Sequence, residues 1–220
     1  SLFLPFAFLN WENQAMLNTL TLEIRWFERE VPSVEIKQWF SVDCPGEPLD
    51  FPEEREDLYL YVPQGERFSL KLRQERLELK WRKTELGIAQ FGTTSNSTAS
   101  NSTESPVSWQ GNLERWVKWT YEDATSPDII SLPTQEKSLW IGVKKMRWQR
   151  RYQDITCELS QLEVKNQHWW SLAFEMVEKP NQREHFEQII SQVNQTYRGP
   201  ALLADKSYAY PSWLSLLRIV

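Results

Sequence analysis

The sequence predicts a mainly β fold, in which antiparallel strands form a barrel or a strongly curved sheet and a C-terminal helix packs on it. Two observations favour this class. Successive segments alternate charged and apolar side chains, most clearly in Phe68-Ser69-Leu70-Lys71-Leu72-Arg73, which gives a strand one charged and one apolar face. The chain also holds 12 Trp among 220 residues, and aromatic residues suit packed, pleated surfaces.

Four strands are predicted in the first part of the chain. The first covers residues 18–30, where Leu20, Leu22, Ile24 and Trp26 alternate with Thr21, Glu23, Arg25 and Phe27. Prolines and glycines predict turns over residues 41–55 and at Pro63-Gln64-Gly65. The other three strands are expected at residues 57–62, 67–74 and 76–83.

Residues 92–106 form a Ser-, Thr- and Asn-rich tract that cannot bury a core, so a mobile loop is expected there. Strands of the same type resume beyond this tract, and the first of them could also begin as a helix. They are expected at residues 113–121, 138–152, 155–164 and 169–177.

A helix is expected near the end of the chain, after Pro180. Asn181 is the expected N-cap, Glu184 follows three residues later as in a capping box, and Gly199 is expected to stop the helix. Its apolar stripe would cover one end or face of the sheet. The stripe consists of Phe186, Ile189, Ile190, Val193 and Tyr197.

Residues 18–220 are expected to form a single domain, because a chain of this length can bury one core. Residues 1–17 are interpreted as an N-terminal extension packed on the surface. They begin with an apolar stretch that is too short to span a bilayer and has no basic flank. We therefore expect no membrane partner.

Basic residues are concentrated in two windows of a chain whose net charge is −5. Residues 67–83 hold seven Lys or Arg against two Glu, and residues 137–151 hold six and no acidic residue. This concentration favours a small, highly charged ligand over general adhesion to nucleic acid or membrane. Single-stranded nucleic acid stays an alternative, because Trp81, Trp140 and Trp148 could stack on bases.

Several site types find no support in the sequence. Cys44 and Cys157 have no CxxC spacing and form no zinc pattern with the two histidines, so a reduced, cytoplasmic setting is expected. There is no Walker loop and no Gly-x-Ser-x-Gly motif.

The charged strand faces allow two interpretations. If they turn inward, Lys, Arg and Glu would line a water-filled cavity, since burying so many charges without water is costly. Such a cavity suits triphosphate, and its carboxylates could carry Mg²⁺ or Mn²⁺. If they turn outward, they form an ordinary solvated face. The protein would then be a non-enzymatic β-barrel that binds an apolar ligand or a protein partner.

Short motifs over residues 18–198 resemble, in the same order, those of the CYTH domain or triphosphate tunnel metalloenzyme superfamily. Thr21-Leu22-Glu23-Ile24-Arg25 is similar to the family's opening Glu-x-Glu-x-Lys strand. Ala173-Phe174-Glu175-Met176-Val177 resembles its closing Phe-x-Glu-x-Glu strand, which a helix follows. Further similar segments are Lys71-Leu72-Arg73, Leu79-Lys80-Trp81-Arg82, Lys145-Met146-Arg147 and Ile155-Thr156-Cys157-Glu158-Leu159.

The resemblance implies an antiparallel eight-stranded closed barrel, or tunnel, that binds a triphosphate or nucleotide and acts on it with a divalent metal. The implied metal ligands are Glu23, Glu158 and Glu175, with Mg²⁺ or Mn²⁺ as the ion. The implied phosphate contacts are Arg25, Lys71, Arg73, Lys80, Arg82, Lys145 and Arg147.

Three positions depart from the family pattern. Thr21 stands where the family has its first Glu, Arg25 replaces the family's Lys, and Val177 occupies the place of the last acid. Because metal sites tolerate the loss of ligands poorly, the loss of two acids threatens the metal more than the phosphate contacts. The resemblance therefore implies a divergent tunnel protein that binds a phosphorylated polyanion, and it leaves open whether the protein also hydrolyses this ligand with a divalent metal at an impaired metal site.

Overall fold

The computed structural model describes residues 17–73, 76–92, 107–121 and 139–218. The expected N-terminal extension and mobile loop therefore lie outside the described residues, apart from Leu17 and Gly92 at their edges.

Eight antiparallel strands close into a barrel, as predicted. They are β1 (Leu17–Arg29), β2 (Glu47–Leu60), β3 (Phe68–Arg73), β4 (Arg76–Phe91), β5 (Trp109–Tyr121), β6 (Trp140–Tyr152), β7 (Ile155–Val164) and β8 (Gln167–Val177). Their order around the barrel is β1-β5-β4-β3-β2-β6-β7-β8. The ring closes because β1 pairs with β5 on one side and with β8 on the other.

The segment expected to form turns over residues 41–55 is mostly a strand. β2 begins at Glu47, and its register with β6 shifts between Leu49 and Glu53, beside Pro52. Proline cannot donate to a ladder, so an irregular stretch of this kind accommodates it. Before β2, helix α1 (Val34–Gln38) continues into one π-helical turn at Trp39–Asp43.

Two other strands are longer than expected. β4 continues to Phe91 rather than ending at residue 83, because register shifts against β5 after Arg82 and again after Glu85 keep the two strands paired. β5 is a strand throughout, from Trp109, so the alternative of a helical start at 113–121 is wrong.

Helix α2 (Arg183–Thr196) is the helix expected near the end of the chain, with different caps. Its N-cap is Gln182 rather than Asn181, and it ends at Thr196, before Gly199. All five residues of the predicted stripe are buried. They pack on the outer face of the barrel in one core with Leu22 and Trp26.

A further helix, α3 (Tyr210–Arg218), was not predicted, and it fills one end of the barrel. Phe27 faces inward because it lies two positions from Arg25, on the opposite side of β1 from Trp26. The ring of Trp213 stacks on Phe27 at 4.7 Å and meets Trp169 edge-on at 5.8 Å. This inner core consists of Phe27, Tyr59, Ile141, Val143, Leu162, Val164, Trp169, Trp213, Leu214 and Leu217.

None of the helices in the described residues is both long and apolar enough to cross a membrane.

Candidate functional site

A cavity of about 250 Å³ occupies the rest of the barrel interior. Every strand contributes to its wall, because the two-residue period turns alternate side chains of each strand inward. The wall carries more basic than acidic side chains. The basic ones are Arg25, Arg55, Lys71, Arg73, Lys80, Lys118, Lys145 and Arg147, and the acidic ones are Glu23, Glu78, Glu114, Glu158 and Glu175.

Helix α3 closes one end of this cavity. Tyr210, its first residue, lines the cavity, and the Lys145 Nζ atom lies 4.0 Å from the centre of the Tyr210 ring. The Lys145 side chain is 3% exposed, whereas the side chains of Lys118 and Glu175 are 30% and 38% exposed. Among the described residues, access from solvent is therefore through the end near Lys118 and Glu175.

A buried carboxylate holds three cations in the deep part of the interior. Asp57 is fully buried, and its carboxylate lies 2.9 Å from Lys145 Nζ, 3.1 Å from Arg55 Nε and 3.9 Å from Lys71 Nζ. Burial opposes the ionisation of Asp57, but these three positive charges outweigh it and hold its pKa below the ordinary value. Asp57 thus fixes cations that face the cavity.

Lys145 is a cavity cation whose pKa is strongly lowered. Burial lowers its pKa to about 8, although the attraction of Asp57 works in the opposite direction. Its ammonium also donates a hydrogen bond to the Tyr59 hydroxyl at 2.6 Å. Its positive charge is therefore sensitive to pH in the neutral to mildly alkaline range.

Near the accessible end of the cavity, Lys80 forms ion pairs with carboxylates from two strands, β1 and β8. Its Nζ atom lies 2.7 Å from Glu23 Oε1 and 3.4 Å from Glu175 Oε2. Burial works to lower the pKa of Lys80, but the attraction of Glu175, Glu23 and Glu78 outweighs it and raises the pKa above its ordinary value. The Thr21 hydroxyl also donates to Glu23 Oε1, at 2.6 Å.

Several side chains contact the Glu158 carboxylate. Arg25 Nη2 lies 3.1 Å from its Oε1 atom, and Arg147 Nη1 lies 3.6 Å from its Oε2 atom. Ser160 and Gln149 also donate to this carboxylate, at 3.1 and 3.2 Å. Burial works to raise the pKa of Glu158, but the charges of Arg25, Arg147 and Lys145 outweigh it, so the pKa lies well below its ordinary value.

The residues expected to bind metal do not fit a divalent ion in their present arrangement. Glu23, Glu158 and Glu175 all line the cavity, but each is already paired with an ammonium or a guanidinium group. In the described part of the chain, no three His, Cys, Asp or Glu residues are grouped so that they could hold a metal ion. Their role as ligands of Mg²⁺ or Mn²⁺ stays a prediction.

Six of the seven expected phosphate contacts line the cavity, and Arg82 does not. Arg82 instead pairs with Glu114 at 2.9 Å and with Glu85 at 2.8 Å. Arg73 lines the cavity and, among the described residues, has no ion-pair partner. The sequence interpretation missed Arg55, Asp57, Tyr59, Glu114 and Tyr210.

No protein-family model and no curated protein matches the chain. Among solved structures, it is similar to a conserved hypothetical protein from Pyrococcus furiosus, with 12% identity over 87% of this chain and 98% of that chain and a TM-score of 0.48. It is also similar to the PH1819 protein from Pyrococcus horikoshii OT3, with 13% identity over 90% and 98% of the two chains and a TM-score of 0.46.

A third similar structure is HpAC1 from Hippeastrum, a proposed adenylyl cyclase described as having a dominant triphosphatase activity. It shares 12% identity over 91% of this chain and 95% of that chain, with a TM-score of 0.46.

Proposed function

We propose that this protein binds a compact phosphorylated anion, such as triphosphate or the phosphate chain of a nucleotide, inside its barrel. One observation carries the proposal: eight basic side chains against five acidic ones line a cavity that opens to solvent at one end. Such an excess of positive charge in a partly desolvated space favours a polyanion, which would offset the mutual repulsion of the cations.

The basic side chains near the accessible end have capacity for a ligand. Arg73 has no ion-pair partner among the described residues, and Lys118 only approaches Glu78, at 3.6 Å. Guanidinium and ammonium groups form charge-assisted hydrogen bonds with phosphate oxygens, which are about twice as strong as neutral ones. Phosphate groups entering the cavity would therefore meet Arg73 and Lys118 first and Lys145 last.

The shape of the cavity restricts the class of ligand. Its volume of about 250 Å³ is below the range of about 300–1,000 Å³ that is usual for drug-sized molecules. Helix α3 closes the inner end, so a long polymer cannot pass through the barrel at that point. The cavity suits a short phosphate chain or the end of one, with any organic group outside the strands.

Hydrolysis of the bound anion is a separate matter from binding. Glu23, Glu158 and Glu175 would have to release their ion pairs before they could hold Mg²⁺ or Mn²⁺. We therefore propose binding as the primary function. Hydrolysis is measured separately, by adding Mg²⁺ or Mn²⁺ to the protein with bound triphosphate and detecting released phosphate.

Calorimetric titration with inorganic triphosphate, at fixed ionic strength and with or without Mg²⁺ or Mn²⁺, tests the proposal. We expect one site, and at a ligand concentration of 100 times Kd a stabilisation of about 2.7 kcal/mol. For a chain of this size, that corresponds to a rise in Tm of about 5–10 °C. Absence of both binding heat and a melting shift would refute it, and released phosphate would reveal hydrolysis.

The other interpretations predict different results, which titrations with other ligands would reveal. A change in Trp fluorescence on adding apolar ligands, without any response to phosphates, would favour a β-barrel for hydrophobic ligands. Affinity for oligonucleotides that falls steeply with salt, without affinity for triphosphate, would favour a nucleic-acid binder.

A further inference from the structure

We infer that Lys80 supplies, within the protein itself, the positive charge that a divalent metal would supply between Glu23 and Glu175, so that the cavity binds its anion without a metal ion. The part of this inference that concerns the anion rests on the proposed function. The part that concerns the metal does not.

Glu23 and Glu175 are brought together by the closure of the barrel. They lie directly opposite each other in the register of β1 and β8, with both side chains facing the cavity. Like charges in directly opposite positions of a sheet repel each other, so this pair needs a cation between the two carboxylates.

Lys80 provides that cation from β4, which is separated from β1 by β5. Its Nζ atom contacts one oxygen of each carboxylate, at 2.7 Å for Glu23 and 3.4 Å for Glu175. An ammonium group carries three donors, and these two contacts leave one for a phosphate oxygen. The two carboxylates therefore orient Lys80, and its single positive charge reduces the repulsion between them.

Thr21 adds a neutral hydroxyl rather than a third carboxylate to this cluster. Its hydroxyl is neutral and donates to Glu23 Oε1, the same oxygen that Lys80 contacts. The cluster has two negative charges, from Glu23 and Glu175, where a carboxylate at position 21 would add a third. A divalent ion would have to displace the Lys80 ammonium and take its place against fewer oxygen ligands than such ions prefer.

Titration with Mn²⁺ in the absence of any anion tests the inference, with free Mn²⁺ followed by electron paramagnetic resonance. The wild-type chain should show no stoichiometric binding, and Lys80→Met should bind one Mn²⁺ more tightly by about tenfold or more. Lys144→Met is the matched control, because Lys144 on β6 is 65% exposed and should leave Mn²⁺ binding at the wild-type level. Lys80→Arg keeps the charge and should also exclude the metal.

The wild-type measurement decides the inference even if Lys80→Met folds poorly. Stoichiometric, tight Mn²⁺ binding by the wild-type chain would overturn it, and so would equal Mn²⁺ affinities in the wild type and a folded Lys80→Met variant. As a second readout, wild-type affinity for triphosphate should be the same in EDTA as in Mg²⁺, and a requirement for Mg²⁺ would also overturn it. Failure of triphosphate to bind in either condition would instead refute the proposed function and leave the Mn²⁺ result intact.

Discussion

The Arg25 guanidinium carbon lies 4.8 Å from the centre of the Tyr210 ring, where the inner face of β1 meets the first residue of α3. Arg25 also bonds Glu158 at 3.1 Å and the Ser171 hydroxyl at 2.9 Å. The helix that fills one end of the barrel therefore also positions a cation of the cavity. The apolar and charged parts of the interior consequently depend on each other.

Reversing the charge of Arg73 should abolish most anion binding. Arg73→Glu removes a cavity-lining cation that has no ion-pair partner among the described residues. Since a hydrogen bond to a charged group contributes about 1.5–3 kcal/mol, we expect triphosphate affinity to fall by about tenfold to a hundredfold or more. Calorimetry measures this fall. The control Arg67→Glu alters an exposed residue just before β3 and should change affinity little; equal losses in both variants would place the binding site outside the barrel.

Anion affinity should decline as the pH rises through about 8. Burial lowers the pKa of Lys145 to about 8, so its ammonium loses its charge above that pH and no longer attracts phosphate. One titrating proton limits the decline to about tenfold per pH unit. Lys145→Arg keeps its charge and should remove this dependence. Titrations of both proteins between pH 7 and 9.5 check the prediction, and parallel pH profiles would contradict it.

Truncating Trp213 should destabilise the whole barrel. Its side chain is fully buried and stacks on Phe27, so Trp213→Ala should lower the free energy of unfolding by about 3–5 kcal/mol. Urea unfolding monitored by far-UV circular dichroism measures the change. Leu216 lies on the same helix and is 46% exposed, so Leu216→Ala should lower the free energy of unfolding much less than Trp213→Ala does. Similar losses in both variants would mean that α3 does not fill the barrel.

Removing the negative charge of Asp57 should also lower the free energy of unfolding. Asp57→Asn leaves Arg55, Lys71 and Lys145 without their shared carboxylate, and breaking a buried ion pair costs about 3–5 kcal/mol. The exposed Glu54 on the same strand provides the control Glu54→Gln, which should have little effect on urea unfolding.

The acid stability of the same variant provides an independent check. The pKa of Asp57 is lower in the folded protein than its ordinary value of 3.8, so its stabilising contribution is present above that value and is lost as the pH falls through the folded pKa. The wild-type chain should therefore lose stability more steeply than Asp57→Asn on acidification below about pH 4. Parallel losses would indicate that Asp57 is not held in its ionised form.

Regular alternation made most of the barrel predictable from the sequence. β7 matches its expected bounds, Ile155–Val164, because apolar and polar side chains alternate from Ile155 to Ser160 and again, in the opposite phase, from Gln161 to Val164, where the turn at Lys165-Asn166 follows. Strands with irregular pairing could not be predicted in the same way. Pro48 and Pro52 suggested turns, although β2 continues past both of them through a shift of register.

The same irregularity explains what was missed in the site. With the strand expected to start at residue 57, Arg55 was placed in a turn, and Asp57 had no inward position assigned to it. Tyr210 and Trp213 were missed because Ala209, rather than a Ser, Thr, Asp or Asn N-cap, precedes this short helix, and only the closed barrel shows that the helix lies inside. Arg82 follows the alternation but pairs with Glu114 beside the cavity, a choice that depends on side-chain partners and not on spacing.

The insertion of α3 has a consequence for how the protein is made. Synthesis proceeds from β1 onwards, yet β1 cannot acquire its second neighbour until β8 has left the ribosome, roughly 150 residues later. Even then, one end of the barrel stays open until α3, residues Tyr210–Arg218, has been synthesised. Until then, a nascent chain of this protein exposes open strand edges and the inner apolar side chains that α3 later covers, and we expect it to depend on chaperones during that interval.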